Sequence, residues 1–433
     1  MSSIISIPSQ SLNLPFYPSL SSSTSNPKLS FNFHFHVSKL TCCCVSTKET
    51  SDQNSDHTHL NETLRVAFGA GGTGGHIYPA VAIADELKIA RPASQILFVG
   101  SPNSMESTAI PSAGFDFVSV PETARLFRPF FSPRNLLLPF HLVKSLIKCQ
   151  SVLRSFDADV VVGTGGYVSF PVCLAAALRG IKVVIQEQNS VPGIANWVLS
   201  FFAHKVFVAF NSTVECFPRK DKCVVCGNPV RLSLRTFVSK EVARLNFFPR
   251  LGKAEEVKLV LVLGGSLGAN AVNIAMLNLY YQMLMENNKL FIIWQTGVEV
   301  FDEMESLVRN HPNLLLTPFL HSMDLAYAAA DLIVSRAGAM TCYEILATGK
   351  PAILIPSPNV AEGHQFKNAF LMADVAGSRV ITEDELDSTT LGDAMYEILG
   401  NEGLMAEMSE RALKAAKPGA SAEIAQHILS LVE

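Results

Sequence analysis

From residue 64 to the C-terminus, short unbroken apolar runs alternate with longer stretches whose apolar residues recur at helical spacing. LRVAF, QILFV, DVVVG, KVVIQ, KLVLVL, LFIIWQ and PAILIP are of the first kind. A strand without a polar face is buried on both sides, so these runs predict parallel strands with helices above and below. AVAIADELKIA and AVNIAMLNLYYQML are of the second kind, amphipathic and helix-like. Together they predict an α/β chain of doubly wound parallel sheets. A polar, proline-containing stretch at about residues 231–256 interrupts the alternation, predicting two Rossmann-like units over 61–230 and 231–419. Two such units facing each other would gather the C-terminal ends of their strands around one cleft.

Glycine marks the turns after three of these strands and after a further strand-like run, ADLIVS. Residues 69–80 read GAGGTGGHIYPA, and the strand–glycine–helix plan returns at residues 163–166. It returns again at Gly264, Gly265, Ser266 and Gly268, and around Gly338. Such a turn lets backbone N–H groups approach an anion, with the positive end of a helix behind them. The four turns therefore predict sites for phosphate groups.

The first turn spells G-x-G-x-x-G through Gly69, Gly71 and Gly74. A dinucleotide site also needs an acid at the end of the second strand to hold the adenosine ribose. Here that strand ends in LFVGSPNS, with no carboxylate before Glu106. A Walker loop needs lysine where this chain has Gly75 and His76. Both departures argue against hydride transfer and against nucleoside triphosphate hydrolysis.

GGTGGHIYPA, GTGGYVSFP, EQN, GNPVR, GGSLGA, GAMTCYE and HQFKNA follow one another in the order found in MurG-type transferases of glycosyltransferase family 28. The chain resembles that family from about Arg65 to its end. The resemblance implies a GT-B fold with UDP-N-acetylglucosamine bound in the second unit. The acceptor, a polyprenyl-diphospho-muramyl-pentapeptide, would bind in the first, to which the last helix (420–433) would return. The implied activity is inverting transfer of N-acetylglucosamine to the acceptor's 4-hydroxyl.

Carried over by motif, His76 would be the general base, and Thr73, Gly74 and Gly75 would meet the acceptor pyrophosphate and donor sugar. A neutral imidazole can take the proton of an attacking hydroxyl; the alternative for His76 is a structural role at the helix start. Ala339, Met340 and Thr341 would open the helix that holds the UDP diphosphate, and Glu344 would bind the ribose. Asn189 and Gln365 would contact the sugar, Ser266 a phosphate and Leu320 the uracil, with Arg231 at a donor-site arginine. Gln186 stands where the family often has histidine, which removes a second candidate base. Two other readings stay open: a plastid galactolipid synthase using UDP-galactose and diacylglycerol, or a non-catalytic sugar-nucleotide-binding subunit.

Charge and cysteine usage narrow the partners. A net charge of −4 gives no basic field for nucleic acid. The D-x-D triplet at residues 157–159 falls between a helix and a strand and reads as surface punctuation, so no protein-bound metal is expected. Nine cysteines without framework spacing suit reduced thiols. Cys223 and Cys226 form CVVC, but the nearby sequence offers no second pair to complete a zinc site, and they read as strand residues.

Residues 1–60 differ from the rest: no acid precedes Glu49, and serine is abundant. That pattern predicts a chloroplast transit peptide followed by a polar linker. Residues 125–148 mix Phe127, Phe130 and Phe131 with Arg128 and Arg134, and predict peripheral docking on an anionic membrane. The enzyme would then sit on the stromal side of the plastid inner membrane. The alternative for this segment is a helical hairpin packed in the core.

Overall fold

In the computed structural model, which describes residues 63–120, 137–251, 256–358 and 363–433, the apolar runs are strands and every strand pairing is parallel. The chain begins β1 (Arg65–Ala70), α1 (Gly74–Ala90), β2 (Gln95–Gly100), α2 (Met105–Ser112), β3 (Asp116–Ser119) and α3 (Leu138–Phe156). It continues β4 (Val160–Gly165), α4 (Gly166–Leu178), β5 (Lys182–Glu187), α5 (Ile194–Leu199), β6 (Lys205–Val208), α6 (Asn211–Val214) and β7 (Cys223–Val225). These strands form one sheet in the order β3-β2-β1-β4-β5-β6-β7.

A second series follows: α7 (Lys240–Phe247), β8 (Lys258–Leu263), α8 (Asn270–Glu286), β9 (Leu290–Gln295), α9 (Phe301–Leu307), β10 (Leu314–Thr317) and α10 (Met323–Ala329). Then come β11 (Leu332–Ser335), α11 (Ala339–Thr348), β12 (Ala352–Leu354), α12 (His364–Ala376) and β13 (Arg379–Val380). Three helices close the chain: α13 (Ser388–Leu399), α14 (Glu402–Ala415) and α15 (Ala420–Val432). Their sheet has the order β10-β9-β8-β11-β12-β13.

Alternation along each strand feeds two cores per sheet. Val66 and Phe68 of β1 pack with Ile77, Ile83 and Leu87 of α1 and with Ile424 and Ile428 of α15. Ala67 faces the other side, with Val152 of α3 and Val168 and Val172 of α4. In the second sheet Val260 and Val262 meet α8 and α13, while Leu259 and Leu261 meet α10 and α11. The last helix thus completes a core made chiefly by the first sheet.

The interrupting stretch is not a loose joint. Its helix α7 packs on α10, and Arg244 pairs with the buried Asp331, which also accepts the N–H of Leu259 at 2.7 Å. Polarity concealed a short amphipathic helix there. Strand order reverses between β1 and β4, and again between β8 and β11. At such switch points the following helices leave on opposite faces and open a crevice. All four glycine turns lie at these two places.

Candidate active site

At the first switch point the chain leaves β1 through Gly72, whose φ of +89° suits glycine. It enters α1 at Gly74, with Thr73 extended before it. The loop is only partly open to an anion. Gly72 N–H donates to Glu106 Oε2 at 3.2 Å, and Ser101 N–H donates to Glu106 Oε1 at 3.1 Å. Glu106 is fully buried, so the phosphate cradle expected of the whole loop is taken at Gly72 by a side-chain carboxylate. Anion capacity is left to the first-turn amides of α1, at Gly74 and Gly75.

His76 lies in that first turn. Its Nδ1 is 3.2 Å from Thr73 Oγ1, and its carbonyl accepts a 2.7 Å bond from Thr164 Oγ1 on β4. The second glycine turn is built around it. Gly165 and Gly166 both have positive φ, and a Cβ on Gly165 would lie 2.7 Å from the imidazole Cδ2. A Cβ on Gly166 would strike the Gly71 carbonyl at 2.1 Å. These glycines are required by the close approach of two loops. Burial pushes the His76 imidazole down to about 4, against a hydrogen bond to the Gly71 carbonyl that pulls it up. His364 of α12, in the second series, lowers it further across the cleft, while Glu106 raises it. The ring is therefore neutral at physiological pH, the form that accepts a proton.

Asn189 is fixed from beneath. Buried Glu187 accepts bonds from the Asn189 backbone at 3.0 Å and side chain at 3.1 Å, from Gly193 N–H at 3.0 Å and from Asn196 Nδ2 at 2.9 Å. Burial raises this carboxyl, and those four donors oppose the rise. Gln186 is also buried, donating to Asn228 Oδ1 at 3.0 Å and accepting from Gln188 at 2.6 Å. Its departure from the family pattern is thus absorbed in a core amide network and does not face the cleft.

The other wall comes from the second sheet. α11 starts at Ala339 with Gly338 extended before it, an N-cap residue with no side chain to cap the free amides. That leaves the N–H groups around Ala339, Met340 and Thr341 pointing into the crevice, where a helix end favours an anion. Ser266 sits in the turn after β8, the strand beside β11. Gln295 ties that turn to the uracil-pocket candidate: it donates to the Gly265 carbonyl at 2.9 Å and accepts from Leu320 N–H at 2.9 Å. Gln365 uses its Oε1 on Ser357 N–H at 2.8 Å. Asn368, one turn further along α12, donates to the Ala337 carbonyl at 3.1 Å and so holds the fourth glycine turn.

Glu344 is buried in α11. Tyr327 O–H donates to its Oε2 at 3.0 Å, and Arg231 Nε lies 3.5 Å from its Oε1. Burial raises this carboxyl while Arg231 and Tyr327 pull it down. Arg231 also stands 3.6 Å over the Tyr78 ring of α1. The two walls meet at this arginine, and His76, Asn189, Arg231, Glu344 and Gln365 come from chain segments far apart. Tyr78, Glu187 and His364 lie inside the quoted motifs without a role assigned to them, and Glu106 and Tyr327 lie outside those motifs, since no spacing in the sequence shows which distant side chain will bury against a loop.

Asp157 and Asp159 go elsewhere. Both bond to Arg65, at 2.7 Å and 2.8 Å, at the end of β1 remote from the glycine turns. Phe127, Arg128, Phe130, Phe131 and Arg134, like the leader, lie outside the described residues. The described part of that segment is α3, whose Phe140, Val143 and Ile147 are exposed beside Lys144 and Lys148, while Ser145, Cys149 and Val152 face inward. Among the described residues no helix is long and apolar enough to cross a membrane.

Residues 66–208 match the glycosyltransferase family 28 N-terminal domain, and residues 259–424 match the C-terminal domain of that family. A Salinibacter ruber protein named UDP-N-acetylglucosamine–N-acetylmuramyl-(pentapeptide) pyrophosphoryl-undecaprenol N-acetylglucosamine transferase is 40% identical over 363 residues, covering 84% of this chain and 95% of that protein. A Christiangramia forsetii protein of the same name is 40% identical over 373 residues, covering 86% and 99%. Among solved structures, Acinetobacter baumannii MurG aligns with a TM-score of 0.63 at 30% identity, covering 85% of this chain and 99% of that one. UDP-GlcNAc 2-epimerase from Neisseria meningitidis reaches 0.59 at 14% identity over 85% and 100%, a likeness of fold alone.

Proposed function

The chain belongs to glycosyltransferase family 28, a GT-B enzyme family, and on that footing we propose how its residues divide the reaction. It transfers N-acetylglucosamine from UDP-N-acetylglucosamine to lipid-linked N-acetylmuramyl-pentapeptide, the activity for which its relatives at 40% identity are named. The acceptor's 4-hydroxyl oxygen attacks the anomeric carbon of the donor. Its proton passes to neutral His76 as the new C–O bond forms. The bond from the anomeric carbon to the β-phosphate oxygen breaks with its electron pair, UDP leaves, and the α-linked sugar becomes β-linked. The first-turn amides of α11 meet the charge that develops on the leaving diphosphate. Glu344 takes the ribose hydroxyls, Asn189 and Gln365 hold the sugar, Ser266 a phosphate, and Leu320 lines the base pocket.

The observation that carries this reading is that His76 stands in the first turn of α1 at one switch point while α11 begins behind Gly338 at the other, with His364 of α12 close enough to act on the imidazole. A galactolipid synthase would need the same donor wall but a different acceptor, and the relatives at 40% identity speak for the amino-sugar transfer. A non-catalytic subunit would have no need of a depressed histidine held in the cleft. The exposed apolar stripe of α3 with Lys144 and Lys148 supports a peripheral seat on an anionic membrane, where a polyprenyl-linked acceptor lies. The absence of acids before Glu49 supports plastid import.

The test is to incubate the purified protein with radiolabelled UDP-N-acetylglucosamine or UDP-galactose and, as acceptor, either lipid-linked muramyl-pentapeptide or diacylglycerol. Label should enter the lipid phase from the first donor alone. Transfer to diacylglycerol instead, or UDP-sugar binding without transfer, would replace this reading with one of its two rivals.

A further inference from the structure

The CVVC pair gave no metal site by its spacing, but the tertiary structure brings other donors to its second cysteine. We propose that Cys226, Glu423 and His427 bind a zinc-class divalent ion that fastens the C-terminal helix to the end of the first sheet. The proposal stands apart from the glycosyl-transfer reading. The Cys226 thiol, a Glu423 carboxylate oxygen and a His427 ring nitrogen all lie within 4.8 Å of one another.

Each ligand is placed by a different constraint. Cys226 is 1% exposed and follows β7, one residue before Gly227, where the chain turns toward the second sheet. Glu423 and His427 are four residues apart in α15, so they share one face of that helix. The His427 ring packs against Phe207 of β6, with centroids 5.5 Å apart and planes 32° apart. That contact limits the ring's rotation. Small side-chain adjustments would bring the three atoms to the roughly 2.0–2.3 Å that zinc requires.

The donor chemistry selects the ion. Thiolate, imidazole and carboxylate together suit zinc and its neighbours, whereas calcium and magnesium prefer oxygen alone. Three protein ligands leave a fourth position, and exposed Glu423 places it toward water. A doubly charged ion with one thiolate and one carboxylate is locally neutral. Without the ion, burial and the adjacent Glu423 push the Cys226 thiol up to about 12, with Lys417 opposing.

The location gives the ion a structural task. α15 follows the second sheet in sequence yet packs on α1 of the first. Its polar ties to the first sheet and its helices include Ser421 to Glu86 at 3.1 Å, Arg91 to Glu433 at 2.7 Å and Lys182 to the Leu431 carbonyl. A metal at Cys226 would add a further tie beside the crossover that leads to Arg231.

The whole chain, purified and incubated with zinc, should retain about one ion per molecule after desalting. Cobalt in its place should give a thiolate-to-cobalt charge-transfer band, and zinc should raise the thermal midpoint. Cys226→Ser should lose the band, and His427→Gln and Glu423→Gln should lose most of the retained zinc. The two α15 variants change solvent-accessible groups and keep the test decisive should the cysteine variant fail to fold. The leader's Cys42, Cys43 and Cys44 are unchanged in every variant, so zinc held there would persist equally in all. Equal zinc and equal thermal shifts in parent, His427→Gln and Glu423→Gln would overturn the site, as would a parent that retains none.

Discussion

The guanidinium of Arg231 stands 3.6 Å over the ring of Tyr78, and its Nε lies 3.5 Å from Glu344. One side chain thus touches α1, which carries His76, and α11, which carries the proposed nucleotide site. Among the described residues the buried Nε has no hydrogen-bond partner. A nucleotide that draws Glu344 onto its ribose would loosen the ion pair and free Arg231 for another anion. On the proposed assignment of Glu344 to the ribose, donor occupancy and the setting of α1 would be linked through this contact.

Glu344→Ala should weaken UDP binding by about 1.5–3 kcal/mol, the range for a hydrogen bond to a charged group. It should also lower thermal stability, because Arg231 keeps its buried charge and loses its counter-ion. Calorimetry with UDP and a melting curve measure the two effects. Unchanged UDP affinity with a lowered midpoint would leave Glu344 only the structural half of its role. NAD should not bind, since the acid that would hold its adenosine ribose is absent.

His76→Ala should reduce turnover by roughly 10²–10⁴ while donor affinity holds. The pH profile adds a second reading. With its folded value near 4 against an ordinary 6.5, the imidazole stays neutral well below pH 7. The kcat/KM of the parent should therefore be flat from about pH 6 to 8 and fall only in more acidic buffer, a limb the alanine variant lacks. Stability follows the same sign. Between those two values the unfolded chain binds a proton that the native one refuses, so stability is lost as pH falls through this window. A parent limb centred near neutrality would mean that His76 is not the base or is not buried in solution.

Glu106→Leu should destabilise the first glycine loop by about 1–3 kcal/mol for each N–H it strands, those of Gly72 and Ser101. Glu106→Gln retains an acceptor and should recover part of the loss. Hydrogen exchange at Gly72 and Ser101 reads the loop directly, and slow exchange in the leucine variant would show that other acceptors replace the carboxylate.

Phe140→Ser with Ile147→Ser should release the protein from anionic vesicles at low salt and leave UDP binding intact. Full burial of two such side chains is worth on the order of 3–6 kcal/mol, and less in an interface. High salt should release the parent, because Lys144 and Lys148 are then screened. The same release is expected of Phe130→Ser with Phe131→Ser. Co-sedimentation with vesicles measures both pairs; retention of the double variants would move the docking surface elsewhere.

The strands, most of the helices and the four glycine turns were legible in the chain alone, because strand burial on both faces and helical amphipathicity are local periodicities. Motifs alone also singled out His76, Asn189, Glu344 and Gln365. Strand order was not legible, since it depends on which helix covers which face, and neither were the switch points that collect the turns. Gln186 reads as a lost base in the motif and is a core amide in the fold. Glu106 figures in the sequence only as the first carboxylate after a strand end that lacks a ribose acid, and in the fold it is the buried acceptor of two loop amides. Cys226 reads as half of an incomplete pair until α15, at the far end of the chain, returns beside it. In each case the deciding partner is distant in sequence, and only packing, with its demand that buried polar groups be satisfied, brings it near.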